Sequence, residues 1–123
     1  MRESLRTLSE RLTRLHRLLL DRQRLTYEAR HGAVAPRDLF NLLLSDEAFV
    51  WLRPLSQMIA RIDELVDAKE PFAEADARRL LQEAHALLKS DARDAFHDNY
   101  RDALQDSAEV VMAHAEVSKL LKN

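Results

Sequence analysis

The sequence predicts an all-α protein, an up-and-down antiparallel four-helix bundle with a proline-kinked second helix and an interrupted last helix. Three observations carry this. Only one glycine and three prolines occur in 123 residues, whereas sheets need frequent turns and turns draw on glycine, proline and asparagine. Leu, Ala, Arg, Glu and Asp dominate the chain, and most of these favour helix. Apolar residues recur at alternating spacings of three and four, the period of a helix with one buried face. With 46% hydrophobic and 33% charged residues, the composition is that of a globular protein. The length suits a single domain over residues 1–123.

The first helix is expected from about Ser4 to Arg30, with Leu5, Leu8, Leu12, Leu15 and Leu19 forming its core stripe. Arg30 and His31 suit the negative end of the helix dipole, and Gly32 follows where a left-handed residue is wanted. At 1.5 Å per residue this helix spans roughly 40 Å. "AVAP" then reads as a linker. Pro36 starts a short helix to Leu44, with Asp38 in its positive first turn, and Ser45 or Asp46 can cap a fresh start.

The second long helix runs on to about Asp67. Ala48, Trp51, Leu52, Leu55, Met58, Ile59, Ile62, Leu65 and Val66 share one face, and Phe49 and Val50 fall outside it. Pro54 cannot donate to the carbonyl of Val50, which predicts a kink over residues 50–54. Two readings follow. The kink swings Phe49 and Val50 back to close the end of the bundle, or it leaves Phe49, Val50, Trp51 and Arg53 as an exposed contact patch.

"DAKEPFAEADA" is the next break. The third helix is expected from about Phe72 to Lys89, with Ala73, Ala77, Leu80, Leu81, Ala84, Leu87 and Leu88 facing in. Ser90 or Asp91 caps the fourth, whose stripe is Ala92, Phe96, Tyr100, Ala103 and Leu104. Asp106 and Glu109 have capping-box spacing, so a restart is expected there. The final segment buries Val110, Ala113, Val117, Leu120 and Leu121.

The stretch "LHRLLLDRQRLTYEARHGAVAPRDLFNLLLSDEAFVWLRPLSQMIARIDELVD", together with "VVMAHAEV", resembles a family of small, uncharacterised bacterial helical-bundle proteins. The resemblance implies a bacterial cytoplasmic four-helix fold and brings no activity, ligand or catalytic residue with it.

Composition excludes several functions. The chain has no cysteine, which removes disulfides, thiolate catalysis and cysteine zinc sites. Its apolar runs, such as Leu42–Leu44 and Ala48–Leu52, are far too short to cross a membrane. The N-terminal "MRESLRTLSERL" is charged from its second residue and has no apolar signal region, so a cytoplasmic location is expected. One glycine leaves no phosphate-cradling loop, and no serine sits in a nucleophile elbow.

Di-iron chemistry needs a Glu-x-x-His pair on each of two helices. Glu28 and His31 form the only such pair, at a helix terminus, and no metal or other cofactor is expected. The two polar residues of interest are His16, near the first leucine stripe, and His114, inside the last one. If the first and last helices are neighbours, His16 and His114 could meet at mid-height with Gln23, Tyr27 or Tyr100 in a buried layer fit for a small ligand or metal. The bland alternative is a set of satisfied core histidines that fix register. His85 and His97 are expected on the surface.

Residues 1–30 carry eight Arg against four acids, while residues 70–109 carry five basic against ten acidic residues. Neighbouring helices of opposite charge explain this without nucleic acid, for which neither overall charge nor a recognition helix speaks. The leading expectation is a non-enzymatic bundle acting through a protein partner or as a homodimer, with Phe49, Val50, Trp51 and Arg53 as the contact and the 36–44 helix nearby. The sequence leaves open whether that helix packs on its own bundle or on a neighbour's. A ligand-binding bundle built on His16, Gln23, Tyr27 and His114 is the rival. Nucleic-acid binding by the first-helix arginines is weaker still.

Overall fold

The computed structural model describes residues 1–121, and among them the chain forms seven α-helices and no strand. These are α1 (Arg2–His31), α2 (Pro36–Ser45), α3 (Glu47–Val50), α4 (Arg53–Asp67), α5 (Glu74–Lys89), α6 (Ala95–Asp106) and α7 (Ala108–Leu121).

The five leucines of the first stripe are all buried in α1. Ser9 joins them as the one buried polar residue of α1 and donates its hydroxyl to Asp63 on α4. Gly32 ends the helix at φ 88°, and its amide donates to the Glu28 carbonyl at 2.8 Å. The linker is then tied back onto α1. The Val34 amide donates to Glu28 Oε2 at 2.7 Å, and Arg24 donates to the Val34 carbonyl at 3.1 Å.

Pro36 opens α2 and Asp38 lies in its first turn, as its missing amide and negative charge require. Extended backbone at Asp46 closes α2, and the same residue caps α3 by accepting from the Ala48 amide at 2.8 Å. The expected kink is instead a joint between two helices. α3 stops at Val50, the Leu52 amide reaches back three residues to Phe49 at 3.0 Å, and Pro54 falls in the first turn of α4. An amide is not needed there, so the proline sits without the penalty it would carry inside a helix. Leu55, Met58, Ile62 and Val66 are buried, and Ile59 and Leu65 pack partly against them.

α5 begins two residues later than expected and leaves Ala73 exposed; Ala77, Leu80, Ala84 and Leu88 are buried. α6 begins only at Ala95, because Asp94 accepts the His97 amide at 2.9 Å and outcompetes Ser90 and Asp91 as the cap. The break before α7 is capped by Ser107, whose hydroxyl accepts from the Val110 amide at 3.2 Å. Asp106 is spent elsewhere, 2.8 Å from Arg22. Leu120 is 37% exposed and Leu121 takes the buried place expected of both.

That break is a sharp turn. Tyr100 and His114 are fourteen residues apart yet their side chains bond at 2.6 Å. A collinear path would part them by about 21 Å.

α1 packs on α4 and α7, α4 on α5, and α5 on α7, so these four helices form a closed ring. Their directions follow from the contacts. Arg2 reaches the Val66 carbonyl while Gln23 meets Trp51, so α1 and α4 run antiparallel. Arg11 pairs with Glu116 at 3.1 Å and Arg22 with Asp106, which opposes α1 to α7. The buried leucines, α4 stripe, small residues of α5 and valines of α7 make one core cluster, joined at one end by Trp51, Phe96 and Tyr100.

Candidate functional site

Two sets of residues expected to serve different functions meet at the end of the molecule where α1 finishes and α3 turns into α4. The Trp51 indole donates to Gln23 Oε1 at 3.2 Å, and its ring lies 5.9 Å from that of Phe96. Tyr27 packs at 5.4 Å from Phe49 and 4.3 Å from His31. Gln23 and Tyr27 were expected to belong to a ligand layer, and Phe49 and Trp51 to an exposed contact. Here they satisfy one another.

The exposed-patch reading is therefore corrected. Phe49 is 1% and Trp51 6% exposed, which leaves neither ring available to a partner. Val50 is half-buried. Arg53 is exposed but donates to the Leu44 carbonyl at 2.7 Å, closing the C-terminal end of α2. The closure reading of this turn describes what its side chains do.

The ligand layer is also divided. His114 Nδ1 lies 2.6 Å from the Tyr100 hydroxyl. Burial pushes the Tyr100 phenol up, so it keeps its proton. Burial and, secondarily, the Lys89 charge push His114 down. A neutral phenol donating to a neutral imidazole satisfies both groups. His16 makes no side-chain hydrogen bond among the described residues, and burial lowers it too. His16 and His114 share no contact of this kind, and no group of three His, Cys, Asp or Glu among the described residues is placed to hold a metal ion. His97 departs from its expected surface position. Its side chain is only 12% exposed, held 2.8 Å from Asp94.

Three concavities accompany these residues. One of about 290 Å³ lies beside Gln23, Tyr27, His31 and Asp46. Another of about 330 Å³ lies across Tyr27, between His31, Asp38 and Asn41. A groove of about 480 Å³ runs between α4 and α5 over Pro54, Met58, Ala86 and Leu87, with His97 at one end. The Arg61 and Glu83 charges at its rim lie 2.6 Å apart and answer each other.

The feature that sequence reasoning left open is α2. None of its ten residues is buried. Phe40 is 62% and Leu44 57% exposed, one turn apart on one side of the helix. Leu43 lies half-buried beside them. The signal was the apolar run of "DLFNLLLS", but that pattern alone does not say whether a helix buries against its own chain. A second exposed apolar pair, Val111 and Met112, lies on α7.

No family model, curated protein or solved structure matches the chain. Among the described residues, no helix is long and apolar enough to cross a membrane.

Proposed function

We propose that this is a non-enzymatic helical protein that works in the cytoplasm through protein–protein contact, and that its contact surface is α2. One observation carries the reading. α2 is apolar along one side, packs mainly on the short α3, and leaves Phe40 and Leu44 more than half exposed. A contiguous exposed apolar surface is retained where it meets a partner, and aromatic residues supply much of the energy in such contacts. The body behind α2 reads as an up-and-down four-helix bundle of α1, α4, α5 and α7, which the closed ring of contacts supports. On this reading α2, α3 and α6 are crossings at one end.

The test is a photo-crosslinking amino acid placed at Phe40, with Ala60 on the exposed side of α4 as control. Crosslinks to protein that form from position 40 and not from position 60, in the pure protein or a cell extract, are the expected result. Equal yields from both positions would refute α2 as the contact surface.

A further inference from the structure

We propose that the partner on α2 is a second copy of this chain, with the two α2 helices packed antiparallel across a two-fold axis near the level of Leu42. The inference rests on the contact reading above and adds the identity of the partner and its register.

Charge at the two ends of the apolar strip carries it. Arg37 lies at the N-terminal end of the Phe40–Leu44 strip and Glu47 just beyond its C-terminal end, and both are exposed. None of the ion pairs among the described residues uses either of them. Arg37 lies in the first turn of α2, and Glu47 follows the extended Asp46 at the other end as the first residue of α3.

A two-fold contact must be self-complementary, with residue i against j and j against i. Taking Leu42 as the centre sets Phe40 against Leu44 of the second copy and Arg37 against its Glu47. The pairing repeats on the other side of the axis. Packing the helices parallel would instead set Arg37 against Arg37 and Glu47 against Glu47, and would align the helix dipoles unfavourably.

The exposed pair on α7 lacks this feature. The one lysine or arginine of that helix among the described residues, Lys119, already pairs with Glu116 at 3.5 Å. Glu109, which no ion pair among the described residues uses, therefore has no unengaged base of α7 to meet in a second copy. The α7 surface thus offers apolar area without a complementary pair of unanswered charges, and the α2 surface is flanked by one.

Sedimentation equilibrium of the pure chain over a wide concentration range tests the proposal. A reversible dimer is expected. Phe40→Asp should weaken it at least about tenfold, with the helical circular-dichroism signal unchanged because the side chain is largely exposed. Arg37→Glu and Glu47→Arg should each weaken it, and the two together should recover the wild-type affinity. Met112→Asp should leave it unaltered.

Several results would overturn the proposal. One is a dimer that Met112→Asp dissociates and Phe40→Asp does not. Another is a charge-reversal pair that fails to recover, which would remove the antiparallel register. A chain that stays monomeric throughout would remove the second copy as partner. If position 40 of that monomer still crosslinks to another protein, the contact reading survives alone; if it does not, both fall.

Discussion

His114 and Tyr100 illustrate what single residues contribute and what they conceal. The neutral pair is satisfied in place, so protonating the imidazole sets a charge within partly buried surroundings near Lys89. His16 faces the same cost with no side-chain hydrogen bond to offset it. Both histidines are held below their ordinary 6.5 when folded, so the unfolded chain binds protons more readily. Their contribution to stability is intact above about pH 6.5. It is lost as the pH falls through the lower folded values. The urea midpoint should thus drop between pH 7.5 and 5, and His16→Gln with His114→Gln should flatten that dependence. An unchanged slope in the double variant would show that other groups set it. The leucines of α1 were legible in the sequence because helical period alone aligns them. The partner of His114 was legible only as one of three candidates, Gln23, Tyr27 and Tyr100, since the choice depends on where the chain turns between α6 and α7.

At the scale of elements, most of what departs from expectation lies at helix ends. The body of each helix follows its apolar period, which is a sum over many residues. An end is decided by one side chain in competition with its neighbours. Asp94 prevailed over Ser90 and Asp91, and Ser107 over Asp106, because the winning oxygen lies within hydrogen-bond reach of the amide three residues on. Pro54 was legible as a disruption but not as a helix start. That distinction requires knowing that α3 ends at Val50 and frees the proline from helix-interior duty.

The capping assignment has a direct check. Ser107→Ala should cost about 1 kcal/mol of stability. Asp106→Ala should cost under about 0.5 kcal/mol, since it loses only an exposed ion pair. The reverse order, read from chemical denaturation, would restore Asp106 as the cap.

Across the whole molecule, the helical class was readable from glycine and proline usage alone, whereas the opposed charges pointed to the acidic 70–109 segment as the neighbour of α1, which packs mainly on α4 and α7. The site was much less legible. Phe49 and Trp51 attract notice because aromatics beside a proline resemble an anchor, yet burial is a property of the assembled end and not of the local pattern. Gln23 and Tyr27 drew attention as polar groups near a core stripe, and they serve that same closure. With these residues occupied, exposed apolar surface remains on α2, none of whose residues is buried, and in the Val111–Met112 pair of α7.

The most direct measurement of this claim is hydrogen–deuterium exchange followed peptide by peptide at low and high protein concentration. The account predicts that amides of α2 gain protection as concentration rises, while those of α5 exchange at the same rate throughout. Exchange in α2 that is independent of concentration would contradict a second copy on that helix.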